Sequence, residues 1–294
     1  MSRPRKYERM RARRGFQVRY EAKIVIAIVV VALVIFSAVI AFGRWYRSKT
    51  ALPSYTPDVA CLSKVILPEE QPEIVVDYTG FTVSFNPAYH IPNYVVWELT
   101  GREADGELPR NSKFYKDDDV YGCAELDDYR RSGFDRGHMA PAGDMKWSAE
   151  AMAESHSLVN ICPQDHSVNS GRWSTLEKMC RQWTQRDSAL LIICGPVISD
   201  EMPRTIGRSQ VKVPERFFKV VMAPFAEPPR AIGFIVPNSY TDEGLEAMSC
   251  SVDDVEQITG YDFFSCLPDS IESRMEGNAD FRQWTQRGKH RKQQ

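Results

Sequence analysis

Asp135-Arg136-Gly137-His138-Met139-Ala140-Pro141-Ala142-Gly143-Asp144 decides how this chain reads. It packs one histidine, one arginine and two carboxylates into a short run, while two glycines and a proline keep the backbone off a helical path. Histidine exchanges protons near neutral pH. An arginine two residues away offers a fixed fork of donors for an anion. His138 is therefore a candidate general base, with Arg136 as its anion-binding neighbour.

The residues that follow offer the remaining parts of such a site. Ser148–Ser155 reads as a helix capped by Ser148 with Glu150 in its first turn. Leu158–Gln164 reads as a short buried strand ended by Pro163. Asn169-Ser170-Gly171-Arg172-Trp173 leads into a helix to about Arg186, with Leu176, Cys180 and Trp183 spaced to face a core. Hydrolysing a phosphodiester needs a base for water and positive charge for the transition state and leaving oxygen. Asn169 offers a neutral oxygen to a hard cation such as Mg²⁺, which keeps several waters and can be held by a single protein ligand. Glu177 could hold those waters, and Arg136 and Arg181 supply fixed charge. Blander readings stand beside these: Asn169 as a helix cap, and Glu177 and Arg181 as an ordinary i,i+4 ion pair. His156 and His166 have no motif around them and read as structural.

On the N-terminal side, Ile74–Val76, Phe81–Phe85 and Tyr94–Leu99 are strand-like, and Phe81, Val83 and Phe85 alternate as on a sheet with one buried face. Ala189–Cys194, Phe217–Ala223 and Ala231–Val236 are apolar runs of strand length. Ser251–Thr259 predicts a helix capped by Ser251, with Asp253 and Asp254 in its first turn and Gly260 at its end. Asp117, Asp118 and Asp119 read as a solvated loop. Together these signals predict an α+β domain over residues 73–278, with a mixed, largely antiparallel sheet flanked by helices. Pro53, Pro57, Pro68 and Pro72 make residues 44–72 a tether. Residues 279–294 read as a basic tail. The hexapeptide Arg-Gln-Trp-Thr-Gln-Arg occurs at 181–186 and again at 282–287, a separation that is not a repeat period.

Charge is split along the chain. Residues 1–23 carry nine Lys/Arg against two Glu, leaving 28 basic and 37 acidic side chains in the rest, a net of −9 there. Ile24–Gly43 is a charge-free apolar run of bilayer-spanning length, followed by Arg44, Trp45 and Tyr46 at an interface-like edge. A buried core helix and a cleaved signal peptide are its rivals; an uncleaved anchor is the preferred reading. The positive-inside rule then puts the N-terminus in the cytoplasm and the large domain in the periplasm or extracellular space, with a mitochondrial inner membrane the less favoured setting. Seven cysteines lie beyond the run without C-x-x-C spacing, which argues against a zinc site and leaves any disulfide pairing open.

The stretch Asp135–Asp144 resembles the signature of the DNA/RNA non-specific endonucleases, and Leu158–Gln164, Asn169–Trp173 and Leu176-Glu177 match the second block of that family in order and spacing. Val211–Pro214, Phe217–Val221 and Asp262–Phe264 resemble its later elements. The resemblance implies a ββα-metal (His-Me finger) core, His138 as general base, Asn169 as the direct Mg²⁺ ligand (Mn²⁺ as a substitute), and Glu177 orienting metal-bound waters. It also implies that Arg136, Asn160 and Arg181 contact phosphate or the transition state, that Asp135 fixes the loop, that DNA and RNA are substrates, and that the protein is a homodimer. The opposing reading is a catalytically silent, membrane-anchored module that binds nucleic acid or protein. An acidic domain that binds a polyanion must gather its positive charge locally, and Arg136, Arg172 and Arg181 are the expected places.

Overall fold

The computed structural model describes Lys23 and residues 28–45, 56–110, 113–198 and 203–285. The chain divides into two units, residues 1–55 and 56–294, each described by itself. In the first unit, α1 (Ile28–Trp45) is long and apolar enough to cross a membrane, and none of it is buried against protein. The basic residues before Lys23, and residues 24–27 of the predicted span, lie outside the described residues.

The larger unit is organised on a seven-stranded sheet. Its strands are β2 (Ile74–Asp77), β3 (Thr82–Asn86), β4 (Ile91–Thr100), β7 (Ala189–Val197), β10 (Arg216–Ala223), β11 (Arg230–Pro237) and β12 (Ser249–Cys250). They lie in the order β12-β11-β10-β7-β4-β3-β2, and every pairing is antiparallel, in line with the largely antiparallel sheet expected but without its mixed part. β7 and β10 are buried along nearly their whole length, as continuous apolar runs require when both sheet faces are covered. The two faces are told apart by β10. Phe217 packs on Trp173, with ring centroids 5.5 Å apart, whereas Phe218 packs on Tyr261 and Phe263. The first face carries α5 (Ser174–Asp187) and the predicted site. The second carries α6 (Val252–Thr259) and β13 (Asp262–Phe263). Burial of Ser84 and Asn86 in β3 likewise shows that the single buried face predicted for Phe81–Phe85 is in fact two.

Both predicted domain boundaries move outward. The expected tether contains α2 (Val59–Leu62), capped by Asp58, and β1 (Val65–Ile66), which pairs with β13 nearly two hundred residues later. A two-residue strand between prolines has no periodicity to read, and its partner is remote. At the other end, α7 (Asp269–Glu276) and α8 (Phe281–Thr285) continue the fold into the expected tail; residues 286–294 lie outside the described residues. The two hexapeptides meet there. Trp284 is 2 % exposed and sits 5.0 Å from Trp183, ring centre to ring centre. Arg186 Nη1 donates to the Trp284 carbonyl at 2.9 Å, and the Arg230 guanidinium lies 4.9 Å from the centre of the Trp284 ring. All seven cysteines are free thiols.

Trp284 therefore closes the core rather than decorating a tail. Trp284→Ala should lower the unfolding free energy of the full chain by about 3–5 kcal/mol, as for other buried tryptophans. Urea denaturation followed by circular dichroism measures this, and an unchanged midpoint would contradict the packing role.

Candidate functional site

The opening stretch forms β5 (Asp135–His138), which pairs antiparallel with β6 (Ile161–Gln164) in the register His138↔Ile161 and Asp135↔Gln164. β6 begins three residues later than the sequence predicts, after a 3₁₀ turn at Leu158–Asn160, and runs through Pro163. A proline is tolerated there because a two-stranded ribbon leaves outward N–H positions unpaired. Gly137 has a direct reason: a Cβ at that position would lie 2.5 Å from the Gln164 Cβ. Gln164 lies fully buried across Gly137, and neither of its amide atoms has a partner. Between the strands, α4 (Ala149–Glu154) forms as predicted, with Ser148 Oγ accepting from Ala151 N.

After β6 the chain turns through a π-helical segment, Val168–Trp173, into α5. Gly171, at φ −107° and ψ −106°, breaks the helix between them. Single π turns recur at functional sites because they re-aim side chains within a helix. Here Asn169 stands in the π segment, Glu177 in the first turn of α5 and Arg181 a turn later. Leu176, Cys180 and Trp183 face the core.

A cleft of about 650 Å³ is lined by Arg136, His138, Asn169, Glu177 and Arg181 together with Asp135. His138 is 6 % exposed, and its Nε2 is buried without a partner. Its ring sits 5.2 Å from Phe114 and 4.9 Å from His156. Burial, then His156 and Arg110, hold its pKa well below the ordinary histidine value, so the ring is neutral. Trp173 Nε1 donates to the His138 carbonyl at 3.1 Å and ties the strand to the helix. Asn169 Nδ2 donates to Asp135 Oδ2 at 2.9 Å, which leaves the amide oxygen as the free donor atom for a cation. The same Asp135 oxygen lies 2.8 Å from His166 Nδ1. Glu177 is half-buried; burial outweighs Lys219 and lifts its pKa to about 7. A carboxylate and an amide oxygen lining one cleft, the carboxylate with no ion pair among the described residues, fit a hard divalent cation. Arg136 spends one Nη2 bond on the Leu126 carbonyl and lies against Phe114 and Tyr129.

Three of the sequence readings are corrected here. Asn160 is fully buried and does not line the cleft. Its Oδ1 accepts from Ala140 N at 2.9 Å, and its Nδ2 donates to the carbonyls of Ala140 and Ser155. With both amide N–H donors used, it is a clamp on the loop after His138 and has no donor left for phosphate. Arg181 does not pair with Glu177. Its Nη1 donates to Asp144 Oδ1 at 2.6 Å, and Asp144 also accepts from Trp97 Nε1. Arg172 turns away to the Glu243 carbonyl. Arg110, Phe114 and Lys178 join the cleft instead, so its walls hold four basic side chains against two carboxylates, the local positive excess that an acidic domain needs. Beneath it lies Lys219, 1 % exposed and 4.2 Å from the centre of the Trp173 ring. A lone lysine in the apolar run Phe217–Ala223 was the visible signal for that residue. Arg110 and Lys178 had none.

Residues 60–270 match the family described as DNA/RNA non-specific endonuclease, and the chain belongs to that family. It is similar to a mitochondrial nuclease named EXOG from Danio rerio, at 36 % identity over 207 residues, covering 65 % of this chain and 60 % of that protein. It is 32 % identical over 199 residues to a mitochondrial endonuclease G from Bos taurus, covering 62 % of this chain and 66 % of the relative. A mitochondrial nuclease of Saccharomyces cerevisiae is 32 % identical over 208 residues, at 63 % and 62 % coverage. This chain thus spans 60 to 66 % of the length of these relatives. Among solved structures, a chain of the EndoG/EndoGI complex, described as showing the mechanism of EndoG inhibition, superposes with a TM-score of 0.64 at 25 % identity. That match covers 74 % of this chain and 95 % of the other. The periplasmic or extracellular setting expected from the sequence is overturned, because these relatives are mitochondrial nucleases. A basic segment before an apolar span speaks to sidedness and does not identify the membrane.

The neutral state of His138 has a consequence for stability. Its pKa and that of His156 are both depressed by burial in the folded state, so below about pH 6.5 the unfolded chain binds more protons than the folded one. Stability should therefore fall as pH drops from about 6.5, by up to about 1.4 kcal/mol per pH unit for each ring. His138→Gln should remove roughly half of that histidine-linked fall. Urea denaturation of both proteins at about pH 7 and about pH 5.5 checks it; parallel pH dependences would contradict a neutral buried ring.

Proposed function

We propose that this chain is a metal-dependent endonuclease that hydrolyses phosphodiester bonds of DNA and RNA with little base preference. What carries the reading is the convergence of His138, Arg136, Asn169, Glu177 and Arg181 on one cleft whose walls carry a net positive charge. On this reading β5, β6 and the helix after them are a ββα-metal core. The Asn169 amide oxygen, aimed by Asp135, would hold Mg²⁺ or Mn²⁺, with Glu177 fixing the waters around it. The cation supplies charge stabilisation for the transition state and leaving oxygen. His138 is held neutral, so it can take a proton from the attacking water without first losing one. Arg136 and Arg181 face the phosphate oxygens; Arg181 keeps unused donors because Asp144 engages only Nη1. Arg110 and Lys178 extend the positive wall along the nucleic-acid backbone.

We further propose that α1 anchors the nuclease unit to a mitochondrial membrane. The support is its length and mean hydropathy of 2.4, together with the mitochondrial relatives.

Supercoiled plasmid and RNA, incubated with the full chain, should both be cut with Mg²⁺ and spared with EDTA. His138→Ala should lower kcat by about 10²–10⁴, the usual worth of a general base. Asn169→Ala should raise the Mg²⁺ concentration needed for half-maximal rate. Metal-dependent cutting that survives His138→Ala sinks the mechanism, and no cutting under any condition returns the binding-module reading. For the anchor, the full chain should stay in the pellet when mitochondrial membranes are extracted with alkaline carbonate. A chain lacking residues 1–45 should be released, and release of both would refute anchoring.

A further inference from the structure

The sheet face opposite the cleft carries a second group of ionisable side chains that phosphodiester chemistry does not use. Asp253 and Glu256 stand one turn apart on α6, and Glu276 is the last residue of α7. One carboxylate oxygen from each lies within 4.8 Å of the other two. Asp253 is exposed, Glu256 is half-buried and Glu276 is only 5 % exposed. Glu256 Oε1 accepts from Phe263 N at 2.7 Å, which fixes that side chain against β13. Glu276 Oε1 is buried and has no hydrogen-bond partner among the described residues.

An unpartnered carboxylate oxygen of this kind is costly, because burial removes its water and nothing replaces it. Its surroundings make the cost larger. Beside burial, the largest charge effects on Glu276 come from Glu256, Glu272, Asp253 and Asp262, all of them acids. Among the described residues none of these five carboxylates has an ion pair. Glu276 also sits in the last turn of α7, where the helix dipole is negative and favours a cation. Burial, charge and dipole all favour a positive group, and among the described residues no basic side chain forms an ion pair with these acids.

We propose that Asp253, Glu256 and Glu276 form a Ca²⁺ site that staples α6 to α7. Oxygens around one ion bound at about 2.4 Å are at most about 4.8 Å apart, so three oxygens that all lie within that limit of one another are compatible with a single ion held by all three groups. Calcium accepts six to eight oxygens in flexible geometry, and solvent can complete the shell on the exposed Asp253 side. The three ligands come from two helices and pack behind the sheet, so the site is structural and separate from the cleft.

The test uses the full chain in detergent with excess Mg²⁺ present to fill the cleft, and Ca²⁺ itself as the probe. Titration calorimetry should show one Ca²⁺ bound, and added Ca²⁺ should raise the melting temperature by mass action. Glu276→Gln and the exposed Asp253→Asn should each weaken Ca²⁺ binding by about tenfold or more. Without Ca²⁺, Glu276→Gln should melt no lower than wild type, because it removes a buried, crowded charge. Asn169→Ala should leave the Ca²⁺ response unchanged. The site is refuted if wild type shows no Ca²⁺ response. It is equally refuted if the response survives both carboxamide variants, or if Asn169→Ala abolishes it.

Discussion

Lys219 places a positive charge inside the otherwise apolar run Phe217–Ala223 of β10, and the site layer is arranged to keep it. Its ammonium lies 4.2 Å from the Trp173 ring centre and 5.2 Å from that of Trp97, held by the negative faces of both rings. Burial alone would lower its pKa, yet Cys194, Cys180, Glu177 and Asp144 around it hold the value above that of ordinary lysine. Three of the neighbours have a second tie. Trp173 holds the His138 carbonyl, Trp97 holds Asp144, and Asp144 holds Arg181. The buried charge thus anchors a chain of contacts that ends at the cleft. Burial still wins at Asp144, whose carboxyl stays above its usual range despite Arg181. Charges this deep are costly to leave alone, so Asp144 depends on Arg181, and Lys219 on the two rings and the acids near it.

The same economy of charge resolves how a chain whose residues 24–294 carry a net −9 can face a polyanion. Its acids are spread over loops and the far side of the sheet, whereas Arg110, Arg136, Lys178 and Arg181 share one cleft. Few phosphates can be neutralised at once by four side chains, so attraction is local and responds to salt. The rigid parts of this cleft are held by groups that never reach a ligand: Asn160 clamps the loop after His138, Gly137 makes room for Gln164, and Asp135 sets the amide of Asn169.

Much of this was legible along the chain. The apolar runs at 189–194, 217–223 and 231–236 became β7, β10 and β11, and Ser251, Asp254 and Gly260 bounded α6 as their chemistry requires. The Asp135–Asp144 stretch and the spacing to Asn169 and Glu177 pointed to one site, because local turn chemistry and helical periodicity place those side chains. Asn160 misled because sequence order shows that a polar residue is near a site, and does not show which way its amide points. The repeated hexapeptide carried no meaning until two tryptophans a hundred residues apart were seen to pack together.

By itself the sequence determined the elements, the apolar span and the set of reactive side chains, since these follow from short-range periodicity, capping and composition. Tertiary structure alone decided that β1 closes on β13, that Arg181 takes Asp144 rather than Glu177, and that Arg110 joins the cleft while Arg172 leaves it. Those choices are made between groups far apart in the chain. They are settled by burial, which makes an unpaired charge or amide costly and so forces each to find its partner in space.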